Sequence, residues 1–165
     1  MAKQLWLLRH AEAEPRGAVP DEQRALTERG ERQASAAGAA LAALGVRLDA
    51  VLTSPRARAL DTARLACEAR GSELEPELHA PLSAGFDADQ ALDLLAAWDT
   101  SSHVMLVGHE PDFSLLIGEL TGASVKLKKG GLAMIEVTGA RSGELVVLAR
   151  PRELALIAGV AVSEV

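Results

Sequence analysis

Cysteine is nearly absent from this sequence, and the chain has neither an excess of positive charge nor a long apolar run. Cys67 is the only cysteine among 165 residues, which excludes a disulfide framework and a cluster of thiolate metal ligands. Seventeen basic against 23 acidic residues give a formal net charge of -6, which argues against sequence-independent binding of nucleic acid or anionic membranes. An anionic substrate must therefore be attracted by a local group of arginines.

The apolar runs are too short to cross a membrane. Residues 5–8 form a run of four before Arg9, and residues 154–162 form a run of nine. A spanning helix needs about 20 apolar residues, and a secretory signal peptide also needs a longer apolar core than the first run offers. We therefore expect a cytoplasmic protein, and the length suits a single domain over residues 1–165.

Three short apolar runs, at 5–8, 50–52 and 104–107, lack polar alternation, which is typical of strands covered on both faces in a parallel sheet. Helical patterns separate them. One follows Thr27, a predicted cap, and carries an apolar stripe that ends before Gly45; this stripe comprises Ala34, Ala37, Leu41 and Leu44.

Further helices are predicted from the spacing of two apolar sets, one over residues 60–67 and one over residues 91–98. Residues 73–78 are a weaker strand candidate, which Pro76 places at a sheet edge. Residues 132–137 and 144–149 flank a turn-rich segment and predict a hairpin, after which Pro151 begins a terminal helix. The order indicates an α/β fold with helices on both faces of a mostly parallel sheet.

Charged residues follow each of the three buried strands directly. Arg9 and His10 follow the first, TSPRAR at 53–58 follows the second and GHEP at 108–111 follows the third. Ligands bind beyond the carboxyl ends of such strands. Ser54 with Pro55 predicts a capped helix start, Pro111 repeats that signal, and the N-terminus of a helix attracts anions. The pattern favours a phosphate site.

These motifs resemble those of the histidine phosphatase superfamily. Its Arg-His-Gly signature appears as Arg9-His10-Ala11, its later arginine lies in TSPRARALDTA, and its second histidine lies in VGHEP. The short chain, RHAEAE and DEQRALTERG are most similar to SixA-type phosphohistidine phosphatases. The resemblance implies a phosphoglycerate mutase-like three-layer sandwich with a C-terminal hairpin.

The resemblance also implies that His10 is a nucleophile that becomes phosphorylated, while Arg9, Arg58 and His109 hold the phosphoryl oxygens. A nucleophilic imidazole must be neutral, and nearby guanidinium groups lower its pKa from about 6.5. Water would then hydrolyse the phosphohistidine in a second step. Neither a metal nor a cofactor is expected, because the histidines and carboxylates lack metal-ligand spacing and the arginines would repel a divalent cation.

The proton donor to the leaving group is not singled out by any spacing. The candidates are Glu12, Glu14, Glu77, Asp87 and Glu110. Glu77 is favoured, because in the larger relatives that the chain resembles the proton donor lies in the region after the second strand. An imidazole leaving group needs less help from a proton donor than an alkoxide does. Residues 78–92 also form too short a segment for a deep lid over the site.

A phosphohistidine on a protein, such as a histidine phosphotransfer domain, is therefore the leading substrate hypothesis. A small phosphate ester or anhydride is the alternative. A non-catalytic phosphate-binding module is a third hypothesis, which the presence of all four site residues disfavours. Arg56 is expected to face solvent beside Arg58. Lys126, Lys128 and Lys129 are more typical of a solvated face than of a docking patch for an acidic partner.

Overall fold

The computed structural model describes residues 2–99 and 102–165. Within them, six strands form one sheet in the order β3-β2-β4-β1-β5-β6. The strands are β1 (Lys3–Arg9), β2 (Ala50–Thr53), β3 (Glu77–Leu78), β4 (His103–Gly108), β5 (Leu132–Gly139) and β6 (Ser142–Ala149). The helices are α1 (Glu28–Ala43), α2 (Ala57–Arg70), α3 (Ala88–Ala96), α4 (Asp112–Thr121) and α5 (Pro151–Ala158). Short 3-10 helices cover Asp21–Gln23, Ala80–Ser83 and Val162–Glu164.

Strands β1 to β4 are parallel, and β5 and β6 add the predicted antiparallel hairpin next to β1. The alternating side chains of β1 show why the sheet needs helices on both faces. Leu5 and Leu7 pack in the same core as Phe113 of α4. Trp6 and Leu8 pack on the opposite face with residues of α1, α2 and α5. The mostly parallel three-layer sandwich is thereby confirmed.

Local signals set most helix ends. The Thr27 side chain accepts a hydrogen bond from the Gly30 amide at 3.0 Å, as the cap prediction requires. Helix α5 begins at Pro151 as predicted. Leu44, the last residue of the predicted stripe, lies just beyond the end of α1 at Ala43 and is 50% exposed. The chain leaves the helix at Leu44, so this side chain does not pack on the core as Leu41 does.

The second crossover helix begins later than the sequence predicts. Ser54 was expected to cap it with Pro55 in first position, but α2 starts at Ala57 and Arg56 is its capping residue. The Ser54 hydroxyl instead accepts the Arg56 amide at 3.2 Å and bonds a histidine of the cavity described below. Strand β3 lies at the sheet edge as Pro76 indicated, but it is reduced to two residues.

No helix among residues 2–99 and 102–165 is long and apolar enough to span a bilayer.

Candidate active site

The carboxyl ends of β1, β2 and β4 open into one cavity of about 360 Å³. Backbone hydrogen bonds join these ends, since the His10 amide donates to Gly108 and the Ser54 amide donates to Val107, each at 3.0 Å. The cavity is lined by all four residues that the motifs singled out for phosphate, Arg9, His10, Arg58 and His109. The centroids of the two imidazole rings lie 5.2 Å apart.

The ring of His10 is fixed by its own backbone. Its Nδ1 lies 2.8 Å from the Ala11 carbonyl oxygen, which can only accept a hydrogen bond, so Nδ1 carries the proton. The Ala11 amide donates to Thr62 Oγ1 at 3.0 Å, and that hydroxyl donates to the Arg58 carbonyl at 2.6 Å. The unprotonated Nε2 therefore keeps the lone pair that a nucleophile needs.

Both imidazoles are held neutral. Burial, followed by the charges of Arg58, Arg9 and Lys129, lowers the pKa of His10 to about 4, although the bond to Ala11 opposes the shift. Burial and then the neighbouring His10 and Arg58 lower the pKa of His109 to about 3. Histidine is ordinarily half-protonated near pH 6.5, so this environment keeps both rings uncharged at neutral pH.

Ser54 is the hydrogen-bond partner of His109. Its hydroxyl oxygen accepts the Arg56 amide and lies 2.8 Å from His109 Nε2, so the hydroxyl proton is available to Nε2. The proton of His109 lies on Nδ1 when the hydroxyl donates to Nε2, and on Nε2 when the hydroxyl accepts there. In the part of the chain that the structure describes, three buried side-chain nitrogens have no hydrogen-bond partner: Arg9 Nε, Arg58 Nε and His109 Nδ1. All three belong to the predicted phosphate site.

The two arginines at the start of α2, Arg56 and Arg58, are held by a carboxylate that lies outside the cavity lining. Asp21 Oδ2 bonds Arg56 at 2.7 Å and Arg58 at 3.1 Å, and its Oδ1 bonds Arg24 at 2.9 Å. The Asp21 carbonyl also accepts from Arg58 at 2.7 Å. The prediction that Arg56 faces solvent was therefore wrong, because the ion pair with Asp21 folds it against the cavity.

The loop before β5 closes the side of the cavity next to β1. Arg9 donates to the Leu127 carbonyl at 2.9 Å, and the Gly130 amide donates to the Arg9 and His10 carbonyls at 3.2 and 3.0 Å. Gly130 has a φ of 71°, a left-handed conformation that favours glycine. This turn places Lys129 in the cavity lining.

The acid candidates separate into two groups. Glu77 lies exposed on β3 and is not part of the cavity lining, because the short edge strand carries it away from the ends of β1 and β4. Asp87 caps α3, and Glu12 bonds Thr27 and Arg29, both away from the cavity. Glu14 and Glu110 do line it. The structure thus does not support Glu77 as the proton donor.

Hydrogen bonds hold the carboxylates that reach the cavity. Ser114 engages both oxygens of Glu110 through its amide, at 2.9 Å, and its hydroxyl. Asp112, which the sequence did not suggest, accepts the Phe86 amide at 3.2 Å, and Glu14 accepts the Ala25 amide at 3.0 Å. Within the described residues, no group of three metal-ligating side chains is found.

Sequence reasoning missed the roles of Asp21, Lys129 and Ser54 in this site. Asp21 begins the DEQRALTERG segment, which the resemblance had marked without assigning a role to the carboxylate. Arg24 lies three residues further along the chain, but Arg56 and Arg58 come close to Asp21 only after folding, so spacing along the chain could not reveal their ion pairs. For Lys129, the following Gly130-Gly131 pair was the available sign of a tight turn.

Comparison with known proteins agrees with this geometry. Residues 5–83 match the family model described as histidine phosphatase superfamily, branch 1. An uncharacterised protein from Picosynechococcus is 30% identical over 168 residues, covering 92% of this chain and 98% of the relative.

Solved structures share the fold. One from Nakamurella multipartita, which carries the name phosphohistidine phosphatase SixA, is 29% identical, with a TM-score of 0.73 over 92% of this chain and 97% of its own. The protein histidine phosphatase SixA in complex with tungstate gives a TM-score of 0.81 at 22% identity, over 92% and 99%. With its four motif residues gathered at one cavity, the chain belongs to the histidine phosphatase superfamily and is similar to its SixA-type members.

Proposed function

We propose that the protein is a metal-independent phosphatase that forms a phosphohistidine intermediate at His10, and that its substrate is phosphohistidine on a protein. The observation that carries the proposal is the state of His10. Its Nδ1 is committed to the Ala11 carbonyl, its pKa is lowered to about 4, and it lies in one cavity with Arg58 and His109. This histidine is neutral, oriented and surrounded by donors for an oxyanion.

The chemistry requires two displacements. His10 Nε2 attacks phosphorus, the bond from phosphorus to the substrate imidazole breaks, and the departing nitrogen takes a proton from solvent or a cavity acid. Water then attacks phospho-His10, the bond to Nε2 breaks, and inorganic phosphate leaves. Arg9, Arg58 and His109 surround the phosphoryl group and supply donors for the charge that spreads over its oxygens.

The surroundings of the cavity support a phosphohistidine substrate over a phosphate ester. An alkoxide leaving group needs a strong proton donor, whereas an imidazole of pKa about 6.5 does not. Glu110, which neighbours His109 in sequence, has both oxygens occupied by Ser114. The wall formed by the short segment before α3 consists of Ser83 and Ala84, whose small side chains leave room for a macromolecular substrate.

Labelling of the intermediate tests the catalytic part of the proposal. Rapid quenching during turnover of a radiolabelled phosphohistidine carrier protein should trap acid-labile, base-stable phosphate on the wild type. The label should be lost in His10→Ala and kept in His79→Ala, a histidine outside the cavity lining. Labelled His10→Ala, or turnover by that variant at the wild-type rate, would contradict a nucleophilic His10.

Substrate choice is tested by comparing kcat/KM for the carrier protein with that for a panel of phosphate monoesters and anhydrides. We expect the carrier protein to be preferred. A higher kcat/KM for a small ester would mean that the substrate is a small phosphate ester and not a phosphoprotein. Tight binding of phosphate or vanadate without turnover of any substrate would instead support a non-catalytic binding module.

A further inference from the structure

A second cavity, of about 460 Å³, adjoins the proposed active site and is strongly basic. Seven of the 17 lysines and arginines line it, against a single acidic side chain, Glu12. We name it the basic cleft, formed chiefly by Lys126, Lys128 and Lys129 before β5 and by Arg152 at the start of α5. The cavity that holds Arg9, His10, Arg58 and His109 is called the phosphate cavity. Arg9 and Lys129 line both it and the basic cleft, so the two lie side by side.

The cations of the basic cleft differ in how far they are neutralised. Arg29 bonds Glu12 at 3.2 Å and the Val165 carbonyl at 3.0 Å, and Arg150 is paired with Glu153. Over residues 2–99 and 102–165, no hydrogen bond or ion pair is found for the side chains of four others. These four are Lys126, Lys128, Lys129 and Arg152.

The three lysines project from a fixed backbone. Leu127 between them is fully buried, its amide donates to Ser114 Oγ at 3.2 Å, and its carbonyl accepts from Arg9. The Gly131 amide donates to the Lys128 carbonyl at 2.8 Å. The backbone that carries these charges is therefore anchored beside the phosphate cavity.

We propose that the basic cleft binds an acidic surface of the phosphoprotein substrate, with its lysines and Arg152 contacting aspartate and glutamate side chains around the phosphohistidine. This inference rests on the proposed function. The four cations are exposed and spread over a loop and a helix, so they suit several separate carboxylates better than one small enclosed anion. On a chain of net charge -6, such a concentrated patch also steers an acidic partner toward this edge.

The test uses the triple variant Lys126→Gln, Lys128→Gln, Arg152→Gln, which leaves the lining of the phosphate cavity intact. We expect kcat/KM for an acidic phosphohistidine carrier protein to fall about tenfold, mainly through KM, and less so as salt rises from about 50 to about 200 mM. Hydrolysis of free phosphohistidine should stay within about twofold of the wild type. Equal losses on both substrates, or no loss on the carrier protein, would overturn the proposal.

A matched control removes the same charge elsewhere, in Arg47→Gln, Arg64→Gln, Arg141→Gln, whose positions line neither cavity. Its kcat/KM for the carrier protein should stay near wild type. Binding of the unphosphorylated carrier protein to each variant gives a readout independent of turnover, so failure of the proposed chemistry and failure of the docking surface are distinguishable. Binding unaffected by the triple substitution, or weaker than binding of a single-stranded oligonucleotide, would count against an acidic protein partner.

Discussion

Asp21 is the residue on which the arginine geometry depends. Its carboxylate joins Arg24, Arg56 and Arg58, yet it does not line the cavity that these arginines face. Partial burial would raise its pKa, but the hydrogen bonds and charges of Arg58 and Arg24 lower the pKa of Asp21 below its ordinary value. We infer that it is a positioning residue that holds the three guanidinium groups at the wall of the cavity.

Replacing Asp21 with Asn should lower kcat/KM by roughly 10- to 100-fold, the range expected for losing charge-assisted hydrogen bonds. The loss should exceed the change in folding stability, and Asp21→Glu should recover part of it. The control is Asp61→Asn, since Asp61 pairs with exposed Arg64 at 3.8 Å and does not line the cavity. A gain of activity in Asp21→Asn would mean that the carboxylate competes with phosphate for the arginines.

At the scale of elements, the sequence predicted the order of strands and helices and the edge at which the motifs meet. Buried strands are recognisable because each contains a short apolar run. Arg9 ends β1, and His10 and His109 directly follow β1 and β4. The start of α2 was misplaced because a Ser-Pro pair satisfies the capping rules whether or not its serine is recruited elsewhere. Ser54 bonds His109, which is distant in sequence, so no local pattern could distinguish the two roles.

The turn at Gly130 gives a prediction for the loop before β5. An added Cβ would lie 3.1 Å from Gln33 Cβ and 3.3 Å from Pro151 Cγ, and the φ of 71° is itself strained for alanine. We expect Gly130→Ala to lower the free energy of unfolding by about 1–2 kcal/mol and to reduce kcat/KM, because the Gly130 amide bonds the carbonyls of Arg9 and His10.

Gly45→Ala is the matched control for that substitution. Gly45 has a similar φ of 67°, but its added Cβ would meet nothing within 4 Å. This control should lose about 1 kcal/mol of stability and keep its activity, since only the conformational penalty applies. Denaturant unfolding and steady-state kinetics on both variants separate the two effects. Equal activity losses would show that the Gly130 turn has no special connection with the site.

At the scale of the whole molecule, the site gathers positive charge in a protein whose net charge is -6. Six lysines and arginines line the phosphate cavity, and the two neutral histidines lie among them. Buried imidazoles next to guanidinium groups resist protonation. The neutral ring makes His10 a nucleophile in the folded protein. In the unfolded chain the same ring would bind a proton at a higher pH. The lowered pKa that favours nucleophilic attack therefore also makes the folded state less stable in acid.

This lowered pKa predicts how folding stability changes with pH. Below about pH 6.5 the unfolded state protonates His10, while the folded state does so only near pH 4, so the free energy of unfolding falls as the pH drops through this window. The contribution of His10 amounts to about 3 kcal/mol. Denaturant unfolding at a series of pH values should therefore give a steeper acid loss for the wild type than for His10→Asn. Parallel curves for the two proteins would show that the folded and unfolded states protonate His10 at the same pH.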